Sequence, residues 1–254
     1  MVLTPKMFLI VCPMLFLAGF VDSIAGGGGL ISLPAYLFAG LPVHMAIGTN
    51  KLSSACGTSL TTVRFIRSGL IRWKLALPGI AAAMVGSSIG SNLSLLADEK
   101  LIRGVLFAVL PLAAFVVLNP RLFPDREARE IVVDARTITV CVIAALVIGF
   151  YDGFYGPGTG TFLIIAFTAF AKLSVSAANA HAKVINLTTN ITSLLVFLRG
   201  GTVLIPLGLA AAACNMLGNY VGSGLAMKSG AKITRPIILI VLVLLLIKLL
   251  TEGA

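Results

Sequence analysis

Four residues could do ionic chemistry inside segments that are otherwise apolar. Asp22 lies in "GFVDSIAGGGG" (19–29) and Asp152 in "GFYDGFYGPGTG" (149–160). Lys51 and Lys183 open "KLSSACGTSLTTVRFIR" (51–67) and "KVINLTTNITSLLVFLR" (183–199). At the centre of a membrane helix each such charge costs roughly 2.5–3.5 kcal/mol on the insertion scale. The functional reading is a polar site where the lysines bind an anion. The aspartates then hold the lysines in place or carry a coupling proton. The structural reading is that the lysines snorkel to an interface, or that each pairs with an aspartate.

Gly26 and Gly28 follow Asp22, and Gly156 and Gly158 follow Asp152. A phosphate loop would need a strand before the glycines and a helix after them in a soluble sheet, whereas the flanks here read as membrane helices. Two readings remain. The glycines let helices touch, or they break a helix so that the next one, from Leu30 or Thr161, points its positive N-terminal end at a cavity and attracts anions. On the second reading Gly26 and Gly28 are the least replaceable, with positive φ expected there.

Asn50 and His181 border the lysines, in "GTNK" and "AHAK". His181 aligns with Thr49. A lone histidine is more often a hydrogen-bonded structural group than a proton relay. Asn186 and Asn190 share a helical face with Lys183, and Ser54 aligns with Asn186. Such a polar stripe on a membrane helix faces protein or water rather than lipid.

The elements that must position these groups follow from composition. The chain has 254 residues, 58% hydrophobic and 11% charged, against about 25% charged in soluble domains. Too little polar surface is available to cover a soluble core of this size, so the lipid bilayer is the solvent. Apolar segments continue to the end, so the N-terminus is not expected to be a simple cleaved signal peptide. The net charge of +10 is spread in short clusters without stacking aromatics, which excludes nucleic acid as partner and fits cytoplasmic helix ends. Cys12, Cys56, Cys141 and Cys214 lie in apolar segments without CxxC spacing, so neither a metal site nor a disulfide framework is indicated. No cofactor is implied. With two histidines, His44 and His181, haem ligation is poorly supported, and no spacing favours a serine hydrolase. An enzyme is not expected.

The chain is a repeat. Asp22 matches Asp152, and Gly26 and Gly28 match Gly156 and Gly158, at an offset of 130; Lys51, Phe65 and Arg67 match Lys183, Phe197 and Arg199 at 132. "GSSIGS" (86–91) matches "GNYVGS" (218–223), and Lys100 and Arg103 match Lys232 and Arg235. The expected organisation is an all-α polytopic membrane protein: a first transmembrane repeat over 1–118, a polar linker over 119–137 and a second repeat over 138–254. The linker carries four arginines, four acidic residues and two prolines. Each half holds four or five apolar helices, and the first-half segments run roughly 5–24, 30–41, 43–67, 73–97 and 101–118. The second is too short to cross alone and reads as a half-helix beside a glycine break. Inversion gathers Arg64, Arg67, Arg72, Lys74, the linker arginines, Lys228, Lys232 and Arg235 on one side, leaving fewer (Lys6, Lys100, Arg103, Arg199, Lys248) on the other. Inverted repeats are therefore favoured over parallel ones. Gly86 and Gly90, like Gly218 and Gly222, stand four apart, which suits close helix packing within a protomer or a homodimer seam.

These motifs resemble the TauE/SafE family of membrane permeases, whose named members are sulfite exporters. The first half carries the resemblance in "GFVDSIAGGGGLISLPAYLFAGLPVHMAIGTNKL", and the second in "YDGFYGPGTGTFL" and "AHAKVINLTTN". It extends from about residue 7 to residue 250. The resemblance implies about eight crossings and transport of sulfite, sulfonates or other sulfur-containing anions across a bacterial-type inner membrane. Pro157-Gly158-Thr159 stands where the first half has Gly27-Gly28-Gly29, so the two loops need not be equivalent. The expected function is a secondary transporter of a small anion, with an anion channel or a non-transporting membrane scaffold as the alternative.

Overall fold

The computed structural model describes residues 3–98, 100–102 and 133–229, with isolated positions from 232 to 243. In chain order its helices are α1 (Pro5–Ala25), α2 (Gly29–Phe38), α3 (Val43–Arg67), α4 (Trp73–Leu96), α5 (Ala135–Phe154), α6 (Thr159–Ala169), α7 (Val175–Arg199) and α8 (Ile205–Ser229). Residues 103–118 of the expected fifth segment, linker residues 119–132, and Arg103, Arg235 and Lys248 lie outside the described residues. The expected linker end is corrected at 135–137, which already belong to α5. Asp134 sets that start, because its carboxylate accepts the Thr137 N–H at 2.8 Å.

Apolar side chains fill the core and also cover the surface. Large apolar side chains such as Leu9, Leu77, Ile143 and Leu217 face outward, while Ser53, Thr61, Ser87, Asn190 and Asn219 are buried. The outer shell therefore suits lipid, and inside it Tyr36 bonds Ser53, Thr61 bonds Asn219 and Asn190 bonds Asn186. Among the described residues α1, α4 and α5 are long and apolar enough to cross a bilayer. Helices α3, α7 and α8 have 25 residues each, about 37 Å at 1.5 Å per residue, but their polar inner faces dilute their hydropathy. Helices α2 and α6, of 10 and 11 residues, reach about 15–17 Å, half the roughly 30 Å hydrocarbon core. The sequence expects the first of these as a half-helix; the second has the same form.

Contacts fix the helix directions. Asn215 donates to the Leu15 carbonyl at 3.1 Å, while Gly218 and Gly222 lie against Phe16 and Phe20, so α1 and α8 run parallel. Gly86 and Gly90 lie against Phe150 and Phe154, so α4 and α5 also run parallel. Between α3 and α7 the order reverses: Thr62 bonds the Lys183 carbonyl at 3.2 Å, and Gly48 meets Phe197. Those two helices are antiparallel. Among the described helices, each half thus packs its first on the other half's fourth.

The glycine pairs are used up in these seams. A Cβ on Gly86 would stand 2.9 Å from the Phe150 nitrogen, and one on Gly218 would stand 2.8 Å from the Phe20 nitrogen. The small-residue faces expected to serve packing or a homodimer are occupied by this chain's own helices. Helices α4 and α8 have only their other faces to offer a second copy.

Candidate functional site

The site starts where α1 stops. Gly26 takes φ +77°, and its N–H returns to the Asp22 carbonyl at 2.7 Å, ending the helix in a left-handed cap. The last carbonyls of α1 then need partners, and the second half supplies them. Asn179 donates to the Ser23 and Ile24 carbonyls at 3.3 and 3.0 Å. Thr161 Oγ1 donates to the Ala25 carbonyl at 2.7 Å, and the Thr161 N–H to the Gly26 carbonyl at 3.3 Å. Gly26 and Gly160 cross backbone to backbone: a Cβ on either would fall 2.5 Å from the other's Cα. The two helix breaks thus meet each other.

Two ion pairs flank this crossing, each joining the two halves. Lys51 Nζ lies 2.9 Å from Asp152 Oδ2. Lys183 Nζ lies 2.8 Å from Asp22 Oδ2 and also donates to the Asp22 carbonyl. Both lysines are buried, Lys183 completely. The sequence leaves open whether the lysines snorkel to an interface or stand beside an aspartate; each meets an aspartate, and it comes from the opposite half. The pairs are not equivalent. Lys183 is bonded to both carboxylate and carbonyl at the negative end of α1, a place that favours a cation. Among the described residues Lys51 is paired with Asp152, and that contact lacks hydrogen-bond alignment, leaving Asp152 Oδ2 without a hydrogen bond.

A small polar cavity opens beside the second of these aspartates. Its space for water centres is about 20 Å³, enough for a water or two. Asp22, Gly26, Gly28, Asn50, Lys51, Asp152 and Gly156 line it, so seven of the ten residues singled out in the sequence come together here. Lys183, His181 and Gly158 do not line it. Around it stand Ser54 and Thr58 of α3, Asn186 and Asn190 of α7, Asn215 of α8 and Ser32 of α2. Ser32 Oγ is buried and has no hydrogen-bond partner. Leu30, Ile31 and Ser32 donate to the Gly27 and Gly28 carbonyls, and among the described residues the Gly28 and Gly29 N–H groups have no backbone partner. The starts of both short helices border the cavity, through Gly28 and Gly29 of α2 and Thr159 and Gly160 of α6, and α6 is in addition tied to α1 through Thr161.

Gly28 is constrained differently from the expectation. Its φ is −55°, within the helical range. Its need for glycine comes from space: a Cβ would fall 2.6 Å from the Ala18 oxygen and from Asp22 Cβ. Positive φ belongs to Gly26, Gly156 and Gly158. His181 is held by backbone groups. Its Nδ1 faces the Ala177 carbonyl at 2.8 Å, and its Nε2 accepts the Arg72 N–H at 3.1 Å. Thr49, its counterpart, accepts the Leu204 N–H at 3.0 Å through Oγ1. Both tie down the residue before a long helix, α4 or α8. Asn215, Ser32 and Thr58 escaped sequence reasoning. Asn215 left a signal, since it stands four residues before Asn219 in an apolar helix, and such amides seek partners inside protein.

Residues 11–249 match the family described as Sulfite exporter TauE/SafE. The chain belongs to the TauE/SafE family. It is 37% identical over 238 residues to "Probable membrane transporter protein ORF9" of Sinorhizobium sp, covering 93% of this chain and 90% of that one. It is 36% identical over 238 residues to "Probable membrane transporter protein YfcA" of Escherichia coli strain K12, covering 93% and 87%. A "Probable membrane transporter protein" of Haemophilus influenzae is 33% identical over 226 residues, covering 89% and 87%. No solved structure matches. This TauE/SafE chain is thus a multi-pass protein of a membrane transporter family, with Asp22, Lys51, Asp152 and Lys183 gathered where the two helix breaks cross.

Proposed function

We propose that this TauE/SafE protein is a secondary transporter that carries a small anion, sulfite, a sulfonate or another sulfur-containing oxyanion, across the inner membrane. The observation that carries the reading is Lys51: a buried ammonium on a polar cavity, with a loosely aligned counter-ion and the N-terminal end of α2 beside it. An ammonium and a helix N-terminus converging on one space favour negative charge. Amide and hydroxyl groups of Asn50, Asn186, Asn190, Asn215 and Ser32 surround that space and suit the several oxygens of an oxyanion. The opposite courses of α3 and α7, whose sequences match, support inverted halves with the site between them.

Flux into proteoliposomes tests the reading. Saturable uptake of labelled sulfite, competed by sulfonates and lost in Lys51→Met, is the expected result. Non-saturating flux points to a channel, and no flux with any small anion points to a membrane scaffold.

A further inference from the structure

Lys51, Lys183, Asp22 and Asp152 together carry no net charge. Lys51, Lys183 and Asp152 are buried, and the Asp22 side chain is 14% exposed. An anion entering the cavity would leave this group at one negative charge, in surroundings that penalise unpaired charge strongly. A proton on a carboxylate already lining the cavity restores the balance. We infer that Asp152 takes up one proton for each monovalent anion bound, so that anion and proton move together; this rests on the anion reading of the same site.

The geometry selects Asp152 over Asp22. Asp22 is held by Lys183 at its carboxylate and its carbonyl, and Lys183 lies off the cavity, so a proton on Asp22 would free no cation for cargo. Asp152 and its partner Lys51 both line the cavity. The Asp152 Oδ2 atom has no hydrogen bond to lose, and protonation releases Lys51 directly to the anion. The other charged groups do not compete for this role. From α3 Asp152 faces Lys51, and from α1 it faces Asp22 across the cavity. On α7, Lys183 is held by Asp22 and His181 is bonded to Ala177 and Arg72. The titratable side chain of α4, Lys74, is exposed in its first turn, and α6 carries none. On α5 itself Tyr151 donates to the Pro157 carbonyl at 2.7 Å, and Tyr155 ends the helix.

The step needs only water and the cargo. A proton from water adds to the Asp152 carboxylate, and the Lys51 ammonium becomes the anion's counter-ion. When the anion leaves on the other side, Asp152 returns its proton to water and pairs with Lys51 again. No other bond forms or breaks.

Calorimetry on the purified full chain tests this, with methanesulfonate as probe because it stays ionised throughout the range and cannot supply the proton itself. Titrations in buffers of different ionisation enthalpy count the protons taken up. The expected result is about one proton per anion, with affinity rising up to about tenfold for each unit fall in pH. In Asp152→Asn the uptake should vanish and the affinity should no longer depend on pH. Binding to the wild type without proton uptake overturns the inference and leaves the anion reading standing. So does an unchanged proton count in Asp152→Asn. If neither methanesulfonate nor sulfite binds, the anion reading fails and this inference with it. The wild-type count decides the matter even if the variant does not fold.

Discussion

Lys51–Asp152 and Lys183–Asp22 occupy matching places in the two halves, yet they hold their charges differently. Lys183 has two acceptors at the end of α1, is fully buried and lies off the cavity. Lys51 has a poorly aligned acceptor and faces the cavity. The helix starts differ as well: both border the cavity, and α6 is in addition tied to α1 through Thr161. The difference teaches that a duplicated ion pair need not duplicate a function. One copy is bonded twice at the end of α1 and lies off the cavity, and on the proposed reading the other leaves an ammonium available to the anion.

The largest expected effect breaks the crossing that both pairs share. Gly26→Ala combines positive φ with overlap onto the Gly160 backbone, and should cost about 2–4 kcal/mol. Gly29→Ala meets only Pro157 Cα at 3.0 Å, without positive φ, and should cost much less. Yield and thermal melting in one detergent compare them; equal losses would contradict the crossing.

Next come the lysines. Removing one partner of a buried pair costs about 3–5 kcal/mol, so Lys183→Met and Lys51→Met should both lower stability. Removing both charges restores balance. Lys183→Met/Asp22→Asn should then fold and still bind anion, while Lys51→Met/Asp152→Asn should fold and not bind. Thermal shift with a panel of small anions separates the two, and the reverse pattern would make Lys183 the anion's partner.

A smaller effect is expected at the matched loop ties. His181→Ala strands the Arg72 N–H, and Thr49→Val strands the Leu204 N–H. Each should cost about 1–3 kcal/mol, with transport per folded molecule unchanged. Transport lost in His181→Ala at normal melting temperature would instead make His181 a participant.

The smallest effect concerns the outer ends of α1 and α5. Thr4 gives α1 no side-chain cap, whereas Asp134 caps α5. Hydrogen bonding to Thr137 holds the Asp134 carboxyl below its ordinary value. Its stabilisation is therefore present above the unfolded-state value and fades as pH falls through the lowered folded-state one. Asp134→Ala should lower the melting temperature slightly near neutral pH and not at strongly acid pH, whereas Thr4→Ala should do neither.

Much of this was legible along the chain. The four glycines, the matched charges and the short segment after Phe20 expose a broken helix, because a charge or a run of glycine stands out in apolar sequence. Gly86 and Gly218 announce close packing by spacing alone, but spacing does not name the neighbour. Gly26 and Gly28 look alike in sequence, and only the fold distinguishes a left-handed cap from a close approach to Ala18.

By itself the sequence determined the solvent, the internal match, the half-helices and the identity of the four charges in apolar segments, since composition and periodicity are local properties. Tertiary structure alone decided that Lys51 meets Asp152 and Lys183 meets Asp22, that Asn215 and Ser32 reach the same cavity, and that both short helices start at that cavity, with α6 also tied to α1. Those facts depend on which turns of distant helices face one another. The pairs join α3 to α5 and α7 to α1, between residues more than a hundred positions apart in the chain. No residue's own neighbours in the chain carry that information.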